Sequence, residues 1–198
     1  MARKTTEQRE ALRTRLIDIA ETLIAEGGID TIKARTLADA AGCSLGAIYN
    51  VFDDLRDLVI AVNGRTFRRL GESIASAPSG GTPTDRLIAL SHDYLAFAEA
   101  NPMTWRTLFD LEMSTDQEVP DWYLAELAKL FAAISAPLSE TLPDLNDTQL
   151  QMMTRTLFSS VHGIVLLGLE RRISGVPSDQ LREMIALLLR NVTSHPKF

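Results

Sequence analysis

The sequence predicts an all-α fold with N-terminal short helices, a long connecting helix and a C-terminal helical bundle. The 198 residues suffice for one large or two small domains, and 45% of them are apolar, enough for a buried core. Every strongly periodic segment repeats its apolar residues at helical spacing. No segment alternates apolar and polar residues as a half-buried strand does, and glycine and proline separate the segments.

The first helix is predicted to begin near Thr5, because Thr5 and Gln8 have the spacing of a capping box. An apolar stripe over Leu12–Leu23 follows, and Gly27-Gly28 ends the helix. Residues 1–52 carry seven basic and seven acidic side chains, so the net charge of −6 falls on the rest of the chain. Because the first 15 residues are basic, this distribution favours a protein that offers one end to DNA.

Residues 33–52 are predicted to form a helix-turn-helix motif. Thr36–Ala41 is the first helix, and Gly42 follows it where a helix end accepts positive φ. Ser44 is placed to cap the second helix, Leu45–Phe52. In such motifs the second helix enters the major groove of DNA. The alternative is a helical hairpin that binds nothing.

The second helix of the motif has an inward face at Ile48 and Phe52, which lie four residues apart. Tyr49 is therefore predicted to contact phosphate, Asn50 phosphate or a base edge, and Arg35 a guanine or a phosphate. The small and apolar neighbours would approach the groove, with Leu45 and Ala47 near thymine methyl groups. The predicted DNA-binding residues are Arg35, Thr36, Ser44, Leu45, Gly46, Ala47, Tyr49 and Asn50.

A long helix over residues 54–75 is predicted to connect the N-terminal region to the body, and the composition of Ser76–Thr84 indicates a linker. Apolar stripes then predict helices near residues 87–97, after Pro102 and over Trp122–Ile134. The last two helices are predicted at Asp147–Arg172 and Ser178–Val192. Residues 1–53 would thus bind DNA, and residues 54–198 would hold the connecting helix and the body.

The last two predicted helices have more apolar surface than a monomeric bundle readily buries. Small residues such as Gly163 and Gly168 would let helices approach closely. We therefore predict a homodimer formed through residues 147–172 and 178–192. The alternative is a single internal core.

The N-terminal region resembles the DNA-binding domain of the tetracycline-repressor (TetR) family. The resemblance covers about the first 60 residues and rests on Leu37-Ala38, Ala41-Gly42, Ser44, Gly46, Ile48-Tyr49, Phe52 and Leu58. It implies a ligand-responsive regulator, most often a repressor, that binds a double-stranded DNA operator as a homodimer. Three positions depart from the family pattern. Lys33 replaces a Thr or Ser, with Thr31 predicted to cap instead, while Val51 and Leu55 replace residues that anchor phosphate.

The body resembles the ligand-binding domain of a TetR subgroup with a Trp-His-Gly signature. The similarity lies in Asp93–Phe109 and in Val161-His162-Gly163, although Phe158 stands nearest to where the tryptophan is usual. A small-molecule effector is implied. The predicted ligand contacts are Tyr94, Trp105, Phe109, Met113, Phe158, His162 and Leu166. Burial in an ordinary apolar core is the alternative for all of them.

Other classes of protein fit the sequence poorly. The three histidines are scattered, and no metal-binding, phosphate-binding or nucleophile motif is present, so neither an enzyme nor a cofactor or metal is expected. The single cysteine, Cys43, excludes an internal disulfide. No run of 18 apolar residues and no signal peptide are found, which predicts a cytoplasmic protein without a membrane span. A helical small-molecule-binding or interaction protein that no longer binds DNA is the alternative function.

Overall fold

The computed structural model describes residues 2–75, 80–111, 119–170 and 176–194, and every regular element in these ranges is helical. The predicted all-α fold is thus confirmed. A 3₁₀ turn, Ile29–Thr31, lies between the first two α-helices. The α-helices are α1 (Ala2–Gly27), α2 (Ala34–Ala41), α3 (Leu45–Tyr49), α4 (Leu55–Ala75), α5 (Pro83–Ala100), α6 (Pro102–Asp110), α7 (Asp121–Thr141), α8 (Asp147–Leu169) and α9 (Ser178–Ser194).

Packing groups the chain into two compact units. The first contains residues 1–68 and 101–123, and the second contains residues 69–100 and 124–198. Both α4 and α7 are therefore divided between the two units. The boundary predicted at residue 53 marks the end of the helix-turn-helix motif and stays a prediction about function, because packing alone places part of α4 and all of α6 with the N-terminal helices.

The core of the first unit is built on the apolar stripe of α1. Leu16, Ala20 and Ile24 are fully buried against residues of α2, α3 and α4. The helix begins at Ala2, however, so Thr5 lies inside it and the predicted capping box does not start it. The basic beginning of the chain is consequently part of a helix.

Polar contacts join α4 to its neighbours in the first unit. The fully buried side chain of Asn63 donates from Nδ2 to the backbone oxygen of Thr107 in α6, at 3.1 Å. Arg65 binds Asp18 and Glu21 of α1, with N–O distances of 2.6 and 3.1 Å. Because a buried amide without a partner is costly, the Asn63 bond specifies how α6 docks on α4.

The second unit is a bundle of α5, α8 and α9 with most of α7 and the last turns of α4. Asn146 caps α8 by accepting from the N–H of Gln149, whose side chain accepts in return from the N–H of Asn146, both at 3.0 Å. The bundle core consists of large apolar side chains at most 3% exposed. They include Leu87, Leu95, Leu138, Leu142, Leu157, Val165, Leu181, Ile185 and Leu189.

One helix, α8, is long and apolar enough to cross a membrane when judged by length and composition alone. Only 22% of its most apolar stretch is buried within the chain. Its Thr154, Leu157, Val161 and Val165 form one buried face. Leu167 on α8 and Leu187 on α9 are each 64% exposed. The outer surface of these helices therefore exposes several large apolar side chains within a single chain.

Gly168 allows α8 to approach α9 closely inside the second unit. A Cβ atom at this position would lie 3.0 Å from Cγ of Leu181, and nearer still to both of its methyl groups. Leu181 is 1% exposed and has little room to move. The corresponding Cβ at Gly71 of α4 would meet only Leu130, at an ordinary 3.8 Å.

We expect Gly168→Ala to lower the free energy of unfolding by about 1–3 kcal/mol, since overpacking displaces a buried side chain. Gly71→Ala, the matched control, should raise it by roughly 0.5–1 kcal/mol because alanine restricts the unfolded chain. Urea denaturation followed by circular dichroism measures both. Equal effects of the two substitutions would contradict the close approach at Gly168.

Candidate DNA interface and effector cavity

The turn between α2 and α3 has the geometry that the sequence predicts. Gly42 adopts the left-handed conformation, with φ 61° and ψ 40°. Its N–H donates to the backbone oxygen of Asp39, and the N–H of Cys43 donates to that of Ala38. This positive φ favours glycine because other residues carry a Cβ that is strained there.

Ser44 caps α3 as predicted, because its Oγ accepts a hydrogen bond of 3.2 Å from the N–H of Ala47. The helix ends at Tyr49, and the prediction that it continues to Phe52 is wrong. The N–H groups of Val51 and Phe52 both donate to the oxygen of Ile48, at 3.0 Å. This tight turn carries Phe52 into the core.

The predicted DNA-binding residues lie together on α2 and α3. Ile48 is fully buried, which fixes the face of α3 that remains outside. On that face Leu45 is 44% and Tyr49 is 50% exposed, and a Cβ at Gly46 would meet no atom within 4 Å. Ala47 is half-buried. The exposed residues of this set are Arg35, Thr36, Ser44, Leu45, Gly46, Tyr49 and Asn50.

The departures from the family pattern have structural explanations. Val51 is buried and Leu55 is half-buried, and both pack into or against the core. Thr31 does not cap α2, because its hydroxyl donates to the backbone oxygens of Leu23 and Gly28. Lys33 occupies the cap position without a side-chain cap bond and is exposed. It adds a cation next to Arg35 that the sequence prediction missed, although its charge was the available signal.

We expect Ile48→Ala to destabilise the helix-turn-helix region by about 2–5 kcal/mol, because it leaves a cavity in the core. Leu45→Ala removes a side chain of similar size from the exposed face of the same helix and should stay within roughly 0.5 kcal/mol of the parent. Thermal unfolding measured by circular dichroism compares the two. A large loss of stability in the Leu45 variant would show that α3 buries a different face.

A small apolar cavity lies inside the second unit. Its volume is about 50 Å³, enough for a few waters but far below the roughly 300–1,000 Å³ of ligand pockets. Tyr94 and Phe158 from the predicted ligand set line it. The remaining lining residues are Leu70, Ile74, Leu87, Leu90, Ser91, Leu130, Ile134, Leu157, Val161 and Leu189. The sequence analysis did not predict that Leu70 and Ile74 of α4 belong to this lining.

Tyr94 of the cavity lining forms a polar pair with His162, which is not itself in the cavity wall. The hydroxyl of Tyr94 and Nδ1 of His162 share a hydrogen bond of 2.8 Å. The ring of Phe158 stacks on His162 with a centroid distance of 5.7 Å. Burial lowers the pKa of His162 because desolvation penalises the charged imidazolium. The pair is therefore a neutral hydrogen-bonding group in apolar surroundings.

The other predicted ligand residues are not in the cavity wall. Leu166 is half-buried one turn after His162 on α8. Trp105 and Phe109 belong to the first unit, where Trp105 is 1% exposed and the two rings make an edge contact at 5.6 Å. Met113 lies outside the described residues. The structure thus groups Tyr94, Phe158 and His162, and it gives Trp105 the environment of a core residue.

The lowered pKa of His162 predicts a pH dependence of stability. Below its ordinary value of about 6.5 the unfolded chain binds a proton at this residue more readily than the folded chain does. The free energy of unfolding should therefore fall as the pH drops from neutral through that value. His162→Gln, which keeps a partner for Tyr94, should show a shallower fall. Denaturation at several pH values measures both slopes, and equal slopes would exclude the buried histidine as their cause.

Comparisons with known proteins agree with this geometry. Residues 16–62 match the model of the bacterial regulatory proteins of the tetR family, and residues 87–192 match the tetracyclin repressor-like C-terminal domain. A crystal structure of a tetR-family transcriptional regulator from Streptomyces coelicolor has a TM-score of 0.66 and 21% identity, covering 93% of this chain and 82% of that one. At this identity the likeness concerns the fold.

Two curated relatives are similar over shorter stretches. The HTH-type transcriptional repressor KstR2 of Rhodococcus jostii (strain RHA1) is 32% identical over 92 residues, which are 44% of this chain and 45% of that protein. The HTH-type transcriptional regulator AcrR of Shigella flexneri is 33% identical over 72 residues, 36% of this chain and 34% of that protein. The chain thus spans less than half the length of either relative. With its helix-turn-helix geometry and family matches in both regions, the chain belongs to the TetR family of bacterial regulatory proteins.

Proposed function

We propose that the protein is a ligand-responsive transcriptional regulator, a repressor that a small-molecule effector releases from its DNA operator in the cytoplasm. The observation that carries this proposal is the exposed surface of α3. Ser44 caps the helix, Ile48 holds it to the core, and Leu45, Tyr49 and Asn50 are exposed. The name of the relative KstR2 supports repression in particular.

In this proposal α3 lies in the major groove of double-stranded DNA. Tyr49 binds a phosphate, Asn50 a phosphate or a base edge, and Leu45 with Ala47 meets thymine methyl groups. Arg35 and Lys33, at the start of α2, supply positive charge to the sugar-phosphate backbone. Since each chain offers one recognition helix, two chains would read the halves of a near-palindromic operator about 34–36 Å apart or a multiple of that.

The homodimer would form through α8 and α9. The low burial of α8 within one chain supports this. One face of α8 packs in the core, and the opposite face would be buried only by a second chain. Met152 and Leu167 on α8, with Met184 and Leu187 on α9, are the exposed large apolar side chains of these helices. The face of α8 at Leu157 and Val165 is already buried within the chain.

The effector would act through α4. Leu70 and Ile74 line the cavity, while Asn63 and Arg65 of the same helix bind α6 and α1. An effector that enlarges the cavity displaces the last turns of α4 and thereby favours a second conformation. It shifts the population only through its greater affinity for that conformation, and a shift from 1:99 to 99:1 requires about 5.5 kcal/mol of difference.

An electrophoretic mobility-shift assay with the DNA upstream of the protein's own gene tests the function. The proposal expects a discrete retarded complex that competitor DNA of unrelated sequence does not remove. If neither this fragment nor any other genomic fragment is retarded, the protein is instead a helical small-molecule-binding or interaction protein that has lost DNA binding. Buried Val51 and half-buried Leu55 are the observations that favour this second candidate.

Substitutions on α3 test the assigned contacts. Tyr49→Ala and Asn50→Ala should each weaken operator binding by about 1–3 kcal/mol, because each removes a contact to a base edge or phosphate. Neither should alter the melting temperature much, since both side chains are exposed. Thr22→Ala on the exposed surface of α1 is the control. Fluorescence anisotropy titrations that give parent-like affinity for both variants would show the contact assignment to be wrong.

Association is tested by placing a charge on the apolar face. Leu167→Arg should convert the dimer into a monomer, because it would bury an unpaired charge in the interface. Leu124→Arg changes an α7 side chain that is 47% exposed and should leave the dimer intact. Sedimentation velocity at micromolar concentration measures the mass. A monomeric parent protein, or a monomeric Leu124 variant beside a dimeric Leu167 variant, would contradict the interface.

A further inference from the structure

An open groove between α7 and α8 has the volume that the inner cavity lacks. It measures about 640 Å³, within the roughly 300–1,000 Å³ typical of sites for small molecules. Both hollows belong to the second unit. The groove is lined by Leu124, Leu127, Ala128, Phe131, Ala132, Ser135, Asp147, Leu150, Gln151, Thr154 and Arg155.

Two aromatic rings separate the groove from the cavity. Phe131 lines the groove, Phe158 lines the cavity, and their centroids are 5.3 Å apart in an edge-to-face contact. On α7 the neighbouring Leu130 faces the cavity while Phe131 faces the groove. This ring pair is therefore a place where the lining of the groove contacts the lining of the cavity.

The one basic residue in the lining of the groove, Arg155, lies next to the ring pair. The guanidinium of Arg155 lies 5.6 Å from the centroid of Phe131, and its side chain is exposed. The only acidic residue in the lining is Asp147, eight positions earlier in the first turn of α8. A helix rises 1.5 Å per residue, which places the backbone of Asp147 about 12 Å from that of Arg155. Asp147 and Arg155 are thus about two helical turns apart on α8.

We propose that the groove is the outer half of the effector site and that the effector is an organic carboxylate with an apolar body. The carboxylate binds Arg155, and the body displaces Phe131 and Phe158 to enter the cavity, where it reaches the Tyr94–His162 pair. This inference rests on the proposed function, because it identifies the class of effector that the regulator senses. Charge complementarity and the shared aromatic wall favour this occupant over a second copy of the chain.

Isothermal titration calorimetry with ω-phenylalkanoates, from phenylacetate through phenylbutyrate to phenylhexanoate, tests the class of ligand. The longer acids should bind more tightly, since more of the chain is enclosed. Arg155→Gln should weaken phenylbutyrate binding by about tenfold to a hundredfold, as expected for a lost charged hydrogen bond. The same substitution should change the affinity for the neutral alcohol phenylbutanol by no more than about twofold. Lys129→Gln, which removes an exposed charge from α7, is the control.

Two further substitutions test passage through the ring pair. Phe131→Ala should accelerate association of phenylhexanoate several-fold in stopped-flow mixing, whereas Leu124→Ala, at the far end of the same groove, should not. Ser91→Leu fills the cavity. It should lower the affinity for phenylhexanoate about tenfold and leave the affinity for phenylacetate unchanged. Operator binding by the parent protein and by Lys129→Gln, measured without ligand, should be equal, and this measurement keeps the test separate from that of the proposed function.

Three results would overturn the inference. One is that no phenylalkanoate binds the parent at millimolar concentration. Another is that Arg155→Gln weakens the acid and the alcohol equally, which would assign Arg155 to packing. The third is that Arg155→Gln or Phe131→Ala yields a monomer in sedimentation, which would make the groove part of the interface between subunits. Failure of the parent protein to bind operator would instead count against the proposed function, and the calorimetric result would stay valid.

Discussion

Burial of α4 on all sides is the constraint on which the rest of the structure depends. Every residue from Leu58 to Gly64 is buried, so neighbours must cover the helix around its whole circumference. Leu58, Ala61 and Val62 pack into the core of the helix-turn-helix region, while Asn63 bonds to α6. Further along, Leu70 enters the wall of the cavity. One continuous helix therefore connects the residues that position α3 with those that would sense an effector.

The parts of the structure that were predictable are those that local chemistry determines. Gly42 and Ser44 specify the turn and the start of α3 through their own φ angle and their own hydroxyl, and neither depends on distant residues. The end of α3 differs from the prediction because it is set by the long-range packing of Phe52 in the core. Trp105 was grouped with His162 by resemblance, yet long-range packing places it in the first unit. The contact between Phe131 and Phe158 joins two helices and leaves no periodic signal in either.

The cavity has a chemical consequence for what can bind there. Tyr94 and His162 already bond to each other, so the closed state leaves the polar atoms of this bond paired. A ligand with a polar group must therefore replace a bond of 2.8 Å rather than fill a vacancy, while a purely apolar ligand gains only burial. Selectivity among effectors would come from whether their polar atoms can bond to both partners, since an unpaired buried group costs about 1–3 kcal/mol.

The exposed surface of α3 contains no ionisable group except the Tyr49 phenol, and the nearby cations belong to α2. Affinity for DNA that comes from phosphate neutralisation falls by about 0.9 logarithmic units per contact for each tenfold rise in salt. A recognition surface that relies on Asn50, Leu45 and Ala47 for its direct contacts releases few counterions. The salt dependence of operator binding would then come from Arg35 and Lys33 of each chain, so osmotic stress, which raises the concentration of intracellular ions, would weaken binding through these few charges.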